Sequence, residues 1–246
     1  MKKYDMLYQP LVERIFAENA QKKDPLKAAK TQMHKMYGAY MQGKSYKKAR
    51  ELLDSSSFDR GINEQILSLH SSTKERISHI AQFYEFIGKH TGAVDTLLDL
   101  GCGYNPFALS LMPFSPHTYY AYDIDLHTKD LLNRFFELSG LPQTAKCADL
   151  AIENPSENVD LALMLKLVPV LEAQKSGRGY ELANSLNSRF LVISYPLKSL
   201  GGREKGMEKN YAASFNHAIV SGALSRFSLV ASQKIVNEMV YILVCA

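Results

Sequence analysis

Residues 96–106, TLLDLGCGYNP, restrict the fold more than any other part of the sequence. Their apolar residues predict a short buried strand, which runs into two glycines, Gly101 and Gly103, and then into a helix-compatible segment. Glycine lacks a Cβ, so it suits a tight turn whose backbone lies close to a ligand. About twenty residues later, a second strand-like run ends in Asp123, where an acid commonly accepts hydrogen bonds from ribose hydroxyls. The pattern predicts a site for a nucleotide-like ligand.

We do not expect a dinucleotide, because Pro106 stands where the dinucleotide fingerprint has its third glycine. The order Asp-Leu-Gly-Cys-Gly, with Asp99 two residues before the first glycine, resembles instead the first motif of class I S-adenosylmethionine (SAM) methyltransferases. A third acid, Asp149, follows the next strand-like run, where such enzymes bind the adenine amine. The alternative is a plain glycine turn between a core strand and a helix, and the two further acids argue against it.

From residue 94 onward, strand-like and helix-like segments alternate. The predicted strands lie near residues 94–100, 117–123, 144–148, 159–165, 189–195, 226–232 and 238–244. The predicted helices lie near residues 106–112, 127–139, 168–186 and 207–221. Such alternation is typical of a doubly wound sheet, and the last two strands, with no helix between them, are expected to form an antiparallel edge hairpin. The predicted fold class is α/β, a Rossmann-like sheet of the class I SAM-dependent methyltransferases with an N-terminal helical extension.

Charge is divided unevenly along the chain. Residues 1–50 contain twelve Lys or Arg and four Asp or Glu, whereas the remaining residues contain 17 and 21. Apolar spacing in this region predicts helices, whose basic residues include Lys27, Lys30, Lys35, Lys47, Lys48 and Arg50. We expect a basic helical subdomain at residues 1–90 that binds a polyanion, and a SAM-binding domain at residues 91–246. A solvated lysine-rich helix face would give the same pattern without a partner.

The segment HSSTKER, residues 70–76, precedes a predicted helix over residues 77–87. Helix capping is one interpretation, with Ser72 or Thr73 as the cap and Glu75 or Arg76 completing it. Ligand binding is the other, because the planar guanidinium of Arg76 suits a carboxylate and SAM carries one on its methionine moiety.

Two segments follow predicted central strands at their carboxyl ends, where open α/β sheets bind ligands. One contains Lys166, and the other, residues 194–208, is glycine-rich and basic. We expect Lys198, Arg203 and Lys205 of this loop to bind phosphates beside the methyl donor. The sequence has neither the Asn-Pro-Pro-Tyr run that amine methylation favours nor a Pro-Cys nucleophile for carbon methylation. Methylation of a ring nitrogen needs no general base, and a lysine-based set for ribose methylation stays open.

No apolar stretch reaches the roughly eighteen residues of a membrane span, and the lysine-rich start lacks the apolar run of a signal peptide. The three cysteines, Cys102, Cys147 and Cys245, form no metal-ligand spacing. We therefore expect a cytoplasmic protein with reduced thiols, no metal and no membrane partner.

Five segments together resemble the aminoglycoside-resistance 16S ribosomal RNA methyltransferases that modify guanine N7 in the decoding A site. They are, in this order, HSSTKER, LDLGCGYNPFAL, AYDID, MLKLVPVLE and SYPLKSLGGREKGMEKNY. The resemblance runs from about residue 3 to the C-terminus. It implies a monomeric enzyme that uses SAM to methylate 16S rRNA within the 30S subunit, releases S-adenosylhomocysteine (SAH) and has no DNA partner.

The same resemblance implies roles for individual residues. The cofactor-binding residues would be His70, Ser71, Ser72, Arg76, Gly101, Gly103, Asp123, Ala148, Asp149 and Leu165. The catalytic set, around the transferred methyl group and the target nucleotide, would be Lys166, Lys198, Lys205 and Glu208. Arg203 would contact RNA together with the basic residues of the N-terminal helices. Ser214 stands where family members often carry tryptophan, so we expect a weaker packing or substrate contact there.

Three other functions stay open at this point. The first is methylation of the neighbouring A-site adenine at N1, although those enzymes lack the KGME segment. The second is methylation of a small molecule or a protein, which would need no ribosome. The third is a non-catalytic SAM-binding or RNA-binding protein, which would bind the 30S subunit in a salt-sensitive manner without transferring a methyl group.

Overall fold

The computed structural model describes residues 4–38, 43–55, 60–198 and 206–246. The α-helices are α1 (Gln9–Asn19), α2 (Pro25–Tyr37), α3 (Gly43–Leu53), α4 (Arg60–Leu67), α5 (Ser71–Arg76), α6 (Ile80–Thr91), α7 (Leu126–Leu138), α8 (Val168–Glu172), α9 (Arg178–Ser185) and α10 (Met207–Val220). The strands are β1 (Thr96–Leu100), β2 (Thr118–Asp123), β3 (Ala145–Cys147), β4 (Asn158–Leu165), β5 (Asn187–Pro196), β6 (Phe227–Ile235) and β7 (Glu238–Cys245). Within these ranges, no helix combines the length and the apolar character needed to cross a bilayer.

The strands form one sheet in the order β3-β2-β1-β4-β5-β7-β6. The strands β1 to β5 pair in parallel, and β7 pairs antiparallel with both β5 and β6. All seven predicted strands and the antiparallel edge hairpin are therefore confirmed. The strand order reverses between β1 and β4, so the loops that follow these strands diverge and leave a crevice between them, which is where ligands of open α/β sheets bind.

Three predicted helices differ from the structure. The single helix predicted over residues 168–186 is wrong, because this segment forms two helices, α8 and α9. The chain turns between them at Gly177, whose φ is +83°. Arg178 then begins α9, and its buried guanidinium donates to the carbonyl oxygens of Leu150 and Glu153, which fixes the break. The segment predicted as a helix over residues 106–112 is a 3-10 helix, Asn105–Leu111, and another 3-10 turn precedes α6.

The helices before β1 pack into two separate places. Helices α3, α4 and α6 share one hydrophobic core with a face of the sheet, where Leu53, Ile66 and Phe83 lie in the same cluster as Phe107 and Phe135. Helices α1 and α2 form a smaller cluster of their own, made of Tyr4, Leu7, Leu11, Val12, Ile15, Ala29, Met33 and Tyr37. The core is continuous across residue 90, so the division into a docking subdomain and a SAM domain stays a prediction about function rather than packing.

The start of the chain is tied to the end of β2. Leu7 forms an isolated antiparallel bridge with Asp125. The backbone nitrogen of Tyr8 donates to the carbonyl oxygen of Ile124, and that of Leu126 donates to Met6, each at 2.8 Å. Helix α2 then begins at an N-cap, Asp24, followed by a proline at the first helical position, as the sequence predicts. These contacts place α1 and α2 beside the carboxyl ends of the strands.

Candidate active site

The glycine turn follows β1 directly. Gly101 and Gly103 have φ angles of +65° and +50°, which L side chains rarely adopt. The backbone nitrogen of Gly103 donates to Asp123 Oδ2 at 2.8 Å, which fixes the turn against the end of β2. A Cβ on Gly101 would lie 3.0 Å from Leu167 Cδ1, and a Cβ on Gly103 would lie 2.8 Å from His70 Cε1. Backbone conformation and neighbouring side chains both require glycine here.

A cavity opens beside this turn, at the carboxyl ends of the central strands. Most of the residues predicted to bind the cofactor line it, namely His70, Ser72, Arg76, Gly101, Gly103, Asp123, Asp149 and Leu165. The two others, Ser71 and Ala148, are chain neighbours of lining residues. The structure thus brings the predicted set together around one cavity, and the role of each residue toward a cofactor stays a prediction.

One end of the cavity is formed by Asp99, a buried acid of the glycine motif. Its Oδ2 accepts hydrogen bonds from Asn105 Nδ2 at 2.8 Å and from the Tyr119 hydroxyl at 2.7 Å. Its Oδ1 is buried and has no hydrogen-bond donor among the residues that the structure describes. Burial raises the pKa of Asp99 to about 6, although both hydrogen bonds oppose this shift. A cationic ligand group at Oδ1 would satisfy this acceptor.

Arg76 lies at the same end and is already paired. Its Nη2 donates to Glu238 Oε1 at 2.8 Å and its Nε to Glu238 Oε2 at 3.2 Å, while its guanidinium carbon lies 4.5 Å from the centre of the Phe83 ring. Burial raises the pKa of Glu238, but the charges of Arg76 and Lys166 outweigh it and leave that pKa below its ordinary value. The ligand carboxylate predicted for Arg76 would therefore share the guanidinium with a carboxylate of the protein.

Lys166 follows β4 and has a φ of +58°, a strained value for a residue with a side chain. Its backbone nitrogen is held by the carbonyl oxygen and the hydroxyl of Ser194, both at 3.1 Å. Its ammonium donates to Glu75 Oε2 at 2.8 Å and lies 3.7 Å from Glu238 Oε2. Arg76, Glu238, Lys166 and Glu75 thus form a chain of alternating charges, of which Arg76 and Lys166 line the cavity.

Asp149 lines the cavity after β3, which β2 separates from the strand that contains Asp99, and α1 reaches it. Arg14 Nε donates to Asp149 Oδ2 at 2.6 Å, and Arg14 Nη2 donates to Asp149 Oδ1 at 3.2 Å. Leu7, Met36 and Tyr37 complete this part of the wall. The N-terminal helices, which the sequence predicts only as a docking unit, therefore form part of the cavity.

The lining residues fit SAM in their chemistry. The buried Oδ1 of Asp99, which has no partner within the described ranges, suits an ammonium group, and Arg76 next to it suits a carboxylate. The glycine turn with Asp123 suits a ribose, whereas Asp149 and Leu165 suit an adenine. Within the described ranges, no group of three His, Cys, Asp or Glu is placed to hold a metal ion.

A second, larger depression adjoins the cavity, and we call it the basic cleft. Its cationic residues are Lys22, Lys23, Lys27, Lys35, Lys166 and Lys198. Pro169, Pro196, Met207 and Tyr211 supply apolar surface between them. Met36, Ser72, Lys166, Val170 and Gln174 line both depressions, so the cavity and the basic cleft meet along these residues.

The other residues predicted to contact RNA lie elsewhere. Lys30 is on α2, and its carbonyl oxygen accepts a hydrogen bond from Tyr4. Lys47 and Lys48 are exposed on α3, which packs against α7, and Arg50 of the same helix pairs with Asp54. The predictions for Arg203 and Lys205 lie outside the described residues. Of the predicted basic residues that the structure describes, Lys27 and Lys35 thus line the cleft, whereas Lys30, Lys47, Lys48 and Arg50 do not.

Two residues near the carboxyl end of the chain have local partners. Glu208, predicted as catalytic, is at the start of α10 and accepts a hydrogen bond from Lys234 of β6 at 2.7 Å. Both side chains are about half exposed, so this contact is a surface ion pair. Ser214 Oγ lies 2.9 Å from the Tyr180 hydroxyl, which in turn lies 2.9 Å from that of Tyr195. At the position where family members often carry tryptophan, Ser214 therefore takes part in a hydrogen-bonded chain with Tyr180 and Tyr195.

Comparison with known proteins agrees with this geometry. The model of the family described as ribosomal RNA methyltransferase (FmrO) matches residues 7–242. A 16S rRNA (guanine(1405)-N(7))-methyltransferase of Micromonospora echinospora is 35% identical, with 89% of this chain and 82% of that protein covered. A protein of the same name from Serratia marcescens is 34% identical, with 98% and 93% covered.

A solved structure has the same fold over the whole chain. The crystal structure of the 16S rRNA methyltransferase RmtF in complex with SAH superposes with a TM-score of 0.85 at 34% identity, covering 100% of this chain and 94% of that one. The sheet is the Rossmann-like sheet of class I SAM-dependent methyltransferases, as predicted. On this evidence, the chain belongs to the FmrO family of ribosomal RNA methyltransferases.

Proposed function

We propose that this protein transfers a methyl group from SAM to N7 of a guanine in the decoding A site of 16S rRNA, within the intact 30S subunit. The observation that carries the proposal is the junction between the cavity and the basic cleft, where Lys166 lines both. Relatives named for this reaction, 34% and 35% identical over most of their length, support it.

The residues at the junction suit a reaction that consists mainly of orientation. SAM supplies an electrophilic methyl group on a sulfonium, and guanine N7 has a lone pair, so no general base is required. Asp99 of β1 and Asp149 after β3 both line the cavity with β2 between these strands, which sets the position of a ligand that contacts both. Lys166 lines both depressions, and its ammonium is held by Glu75.

Lysine donors in the basic cleft favour guanine over adenine. On the major-groove edge, guanine presents two acceptors, N7 and O6, whereas adenine presents a donor amine beside its N7. An ammonium can donate to O6 of guanine and leave N7 free to react, whereas the amine of adenine would repel it. Lys166 and Lys198 line the cleft and supply this kind of group. The alternative, methylation of the neighbouring adenine at N1, gains no such contact.

The basic residues of α2 extend the cleft and suit the phosphate backbone of a folded RNA. Lys27 and Lys35 line it, together with Lys22 and Lys23 before the helix. The family resemblance implies the 30S subunit rather than free RNA as the substrate, and we propose that a single chain docks on it through this cleft. Methylation in the A site would confer aminoglycoside resistance, as the family resemblance implies.

The test is methyl transfer from labelled SAM to purified 30S subunits and, in parallel, to naked 16S rRNA. Borohydride and aniline treatment then cleaves the RNA at 7-methylguanosine. We expect labelling of 30S subunits only, with cleavage at one A-site guanine, and no labelling by the matched cofactor-site variant Gly103→Ala. Labelling without cleavage would indicate that the methylated base is the neighbouring adenine, at N1, and not a guanine at N7. Absence of RNA labelling, with SAH binding retained, would indicate a small-molecule or protein substrate or no catalysis.

A further inference from the structure

The bridge between α1 and the cofactor cavity joins residues 135 positions apart in the sequence. Arg14 and Asp149 face each other with two donors and two acceptors, at 2.6 Å and 3.2 Å. The side chains are 15% and 1% exposed, so the ion pair is shielded from water. Paired hydrogen bonds of this kind fix the orientation of both groups as well as their separation.

Arg14 is itself held by other side chains. Its Nη2 also donates to Gln174 Oε1 at 3.0 Å, and its Nη1 donates to Glu18 Oε1 at 2.5 Å. Gln174 Oε1 in turn accepts from the Tyr37 hydroxyl of α2 at 3.4 Å. The guanidinium is therefore positioned jointly by α1, by α2 and by the segment after α8.

The ion pair controls the acceptors that Asp149 offers to the cavity. Oδ1 accepts from Arg14 and from the backbone nitrogen of Ala151 at 3.2 Å, whereas Oδ2 accepts from Arg14. A carboxylate oxygen accepts about two hydrogen bonds, so Oδ2 keeps one acceptor position in a direction that Arg14 determines. An exocyclic amine at this end of the cavity would donate to that position.

We propose that Arg14 is a positioning residue for adenine recognition and couples the α1–α2 unit to the cofactor site. This inference rests on the proposed function, because it assumes SAM in the cavity and RNA on α2. Helix α2 carries Lys27 and Lys35 of the basic cleft, and α1 and α2 share one apolar cluster. Whatever orders this helix pair also orders Asp149, so cofactor and 30S subunit bind with positive coupling, each strengthening the other by the same factor.

The first experiment measures the affinity of SAH and of S-inosylhomocysteine, in which an oxygen replaces the adenine amine, by calorimetry. Wild-type protein is expected to bind SAH at least tenfold more tightly than the inosine analogue. The variant Arg14→Ala is expected to lose most of this preference, and Arg14→Lys to retain part of it. A purely structural role would weaken both ligands equally. The matched control is Glu13→Gln on α1, which makes the same change of charge at an exposed residue bonded to Gln9 rather than to Arg14, and it leaves the preference unchanged.

The second experiment measures SAH affinity with and without saturating 30S subunits. Wild-type protein is expected to bind SAH at least fivefold more tightly when it is on the subunit. For Arg14→Ala, the ratio of SAH affinities with and without the subunit is expected to be less than half as large. If both Arg14 variants keep the wild-type preference for SAH over S-inosylhomocysteine, the positioning role is wrong. If Arg14→Ala keeps the wild-type increase of SAH affinity on 30S subunits, the coupling is wrong. Failure of the proposed function is distinct, since wild-type protein would then bind no SAH or methylate no 30S subunit.

Discussion

The buried pair of Arg76 and Glu238 gives a quantitative prediction for stability. Both side chains are almost fully buried, at 3% and 6% exposure, and three N–H···O contacts of 2.8 to 3.2 Å join them. Replacement of the arginine by methionine retains apolar contact with Phe83 but leaves a buried carboxylate without its main partner. Breaking such a pair costs about 3–5 kcal/mol of unfolding free energy. For a chain of this size, each kcal/mol corresponds to roughly 2–4 °C in Tm.

The assay is urea and thermal unfolding of Arg76→Met, Glu238→Gln and the double variant. We expect Arg76→Met to be the least stable of the three, because the double variant leaves no uncompensated charge at this position and therefore loses much less than the sum of the single losses. Two results would refute the reasoning: an Arg76→Met variant within about 1 kcal/mol of wild type, or single losses that simply add.

The pair also changes how a ligand-binding defect at Arg76 is interpreted. Loss of the guanidinium removes a predicted ligand contact and a structural ion pair together. The double variant separates the two effects, because it restores much of the stability without restoring the guanidinium. If Arg76 binds the ligand carboxylate, the double variant folds but binds SAH weakly, which the shift of its Tm on SAH addition measures.

Three further predictions concern the cavity and the cleft. Gly103→Ala abolishes SAH binding by calorimetry, because the new Cβ lies 2.8 Å from an imidazole carbon. Gly140 also has a positive φ but has open space around it, so Gly140→Ala is expected to bind SAH normally. Lowering the pH through about 6 protonates Asp99 in the free protein and weakens SAH binding, and Asp99→Asn removes this pH step; an unchanged step would contradict the ammonium assignment. Lys35→Glu weakens 30S binding at least tenfold in filter-binding assays without changing SAH affinity, whereas Lys47→Glu, outside the basic cleft, has a smaller effect.

The glycine turn and its acids could be predicted because their signal is local. Gly101, Gly103 and Asp99 lie in one short motif, and Asp123 follows at a spacing set by one helix and one strand. The strands could be predicted for a similar reason, since central parallel strands are short continuous apolar runs. Conformation and sequence pattern agree at these positions without help from distant contacts.

Glu238 and Arg14 could not be predicted as parts of the site. Each pairs with a residue more than 130 positions away, and charged residues at a strand end or on an amphipathic helix are ordinarily solvated. The break at Gly177 could not be predicted either, because the two glycines of this segment, Gly177 and Gly179, lower helix propensity without by themselves ending a helix. What decides that break is Arg178, whose guanidinium is buried against carbonyl groups distant in the sequence. Pairings of this kind arise only in the folded chain.

The backbone bridge between Leu7 and Asp125 bears on how such an enzyme can evolve. In a modular protein, a substrate-binding segment is exchanged by recombination at a linker that few contacts cross. Here the segment before α1 is hydrogen-bonded to the residues that follow Asp123, and Leu7 lines the cavity itself. A recombination point between the N-terminal helices and the sheet would therefore remove part of the cavity wall. New substrate specificity in this architecture must arise by substitutions within α1 and α2 rather than by their replacement.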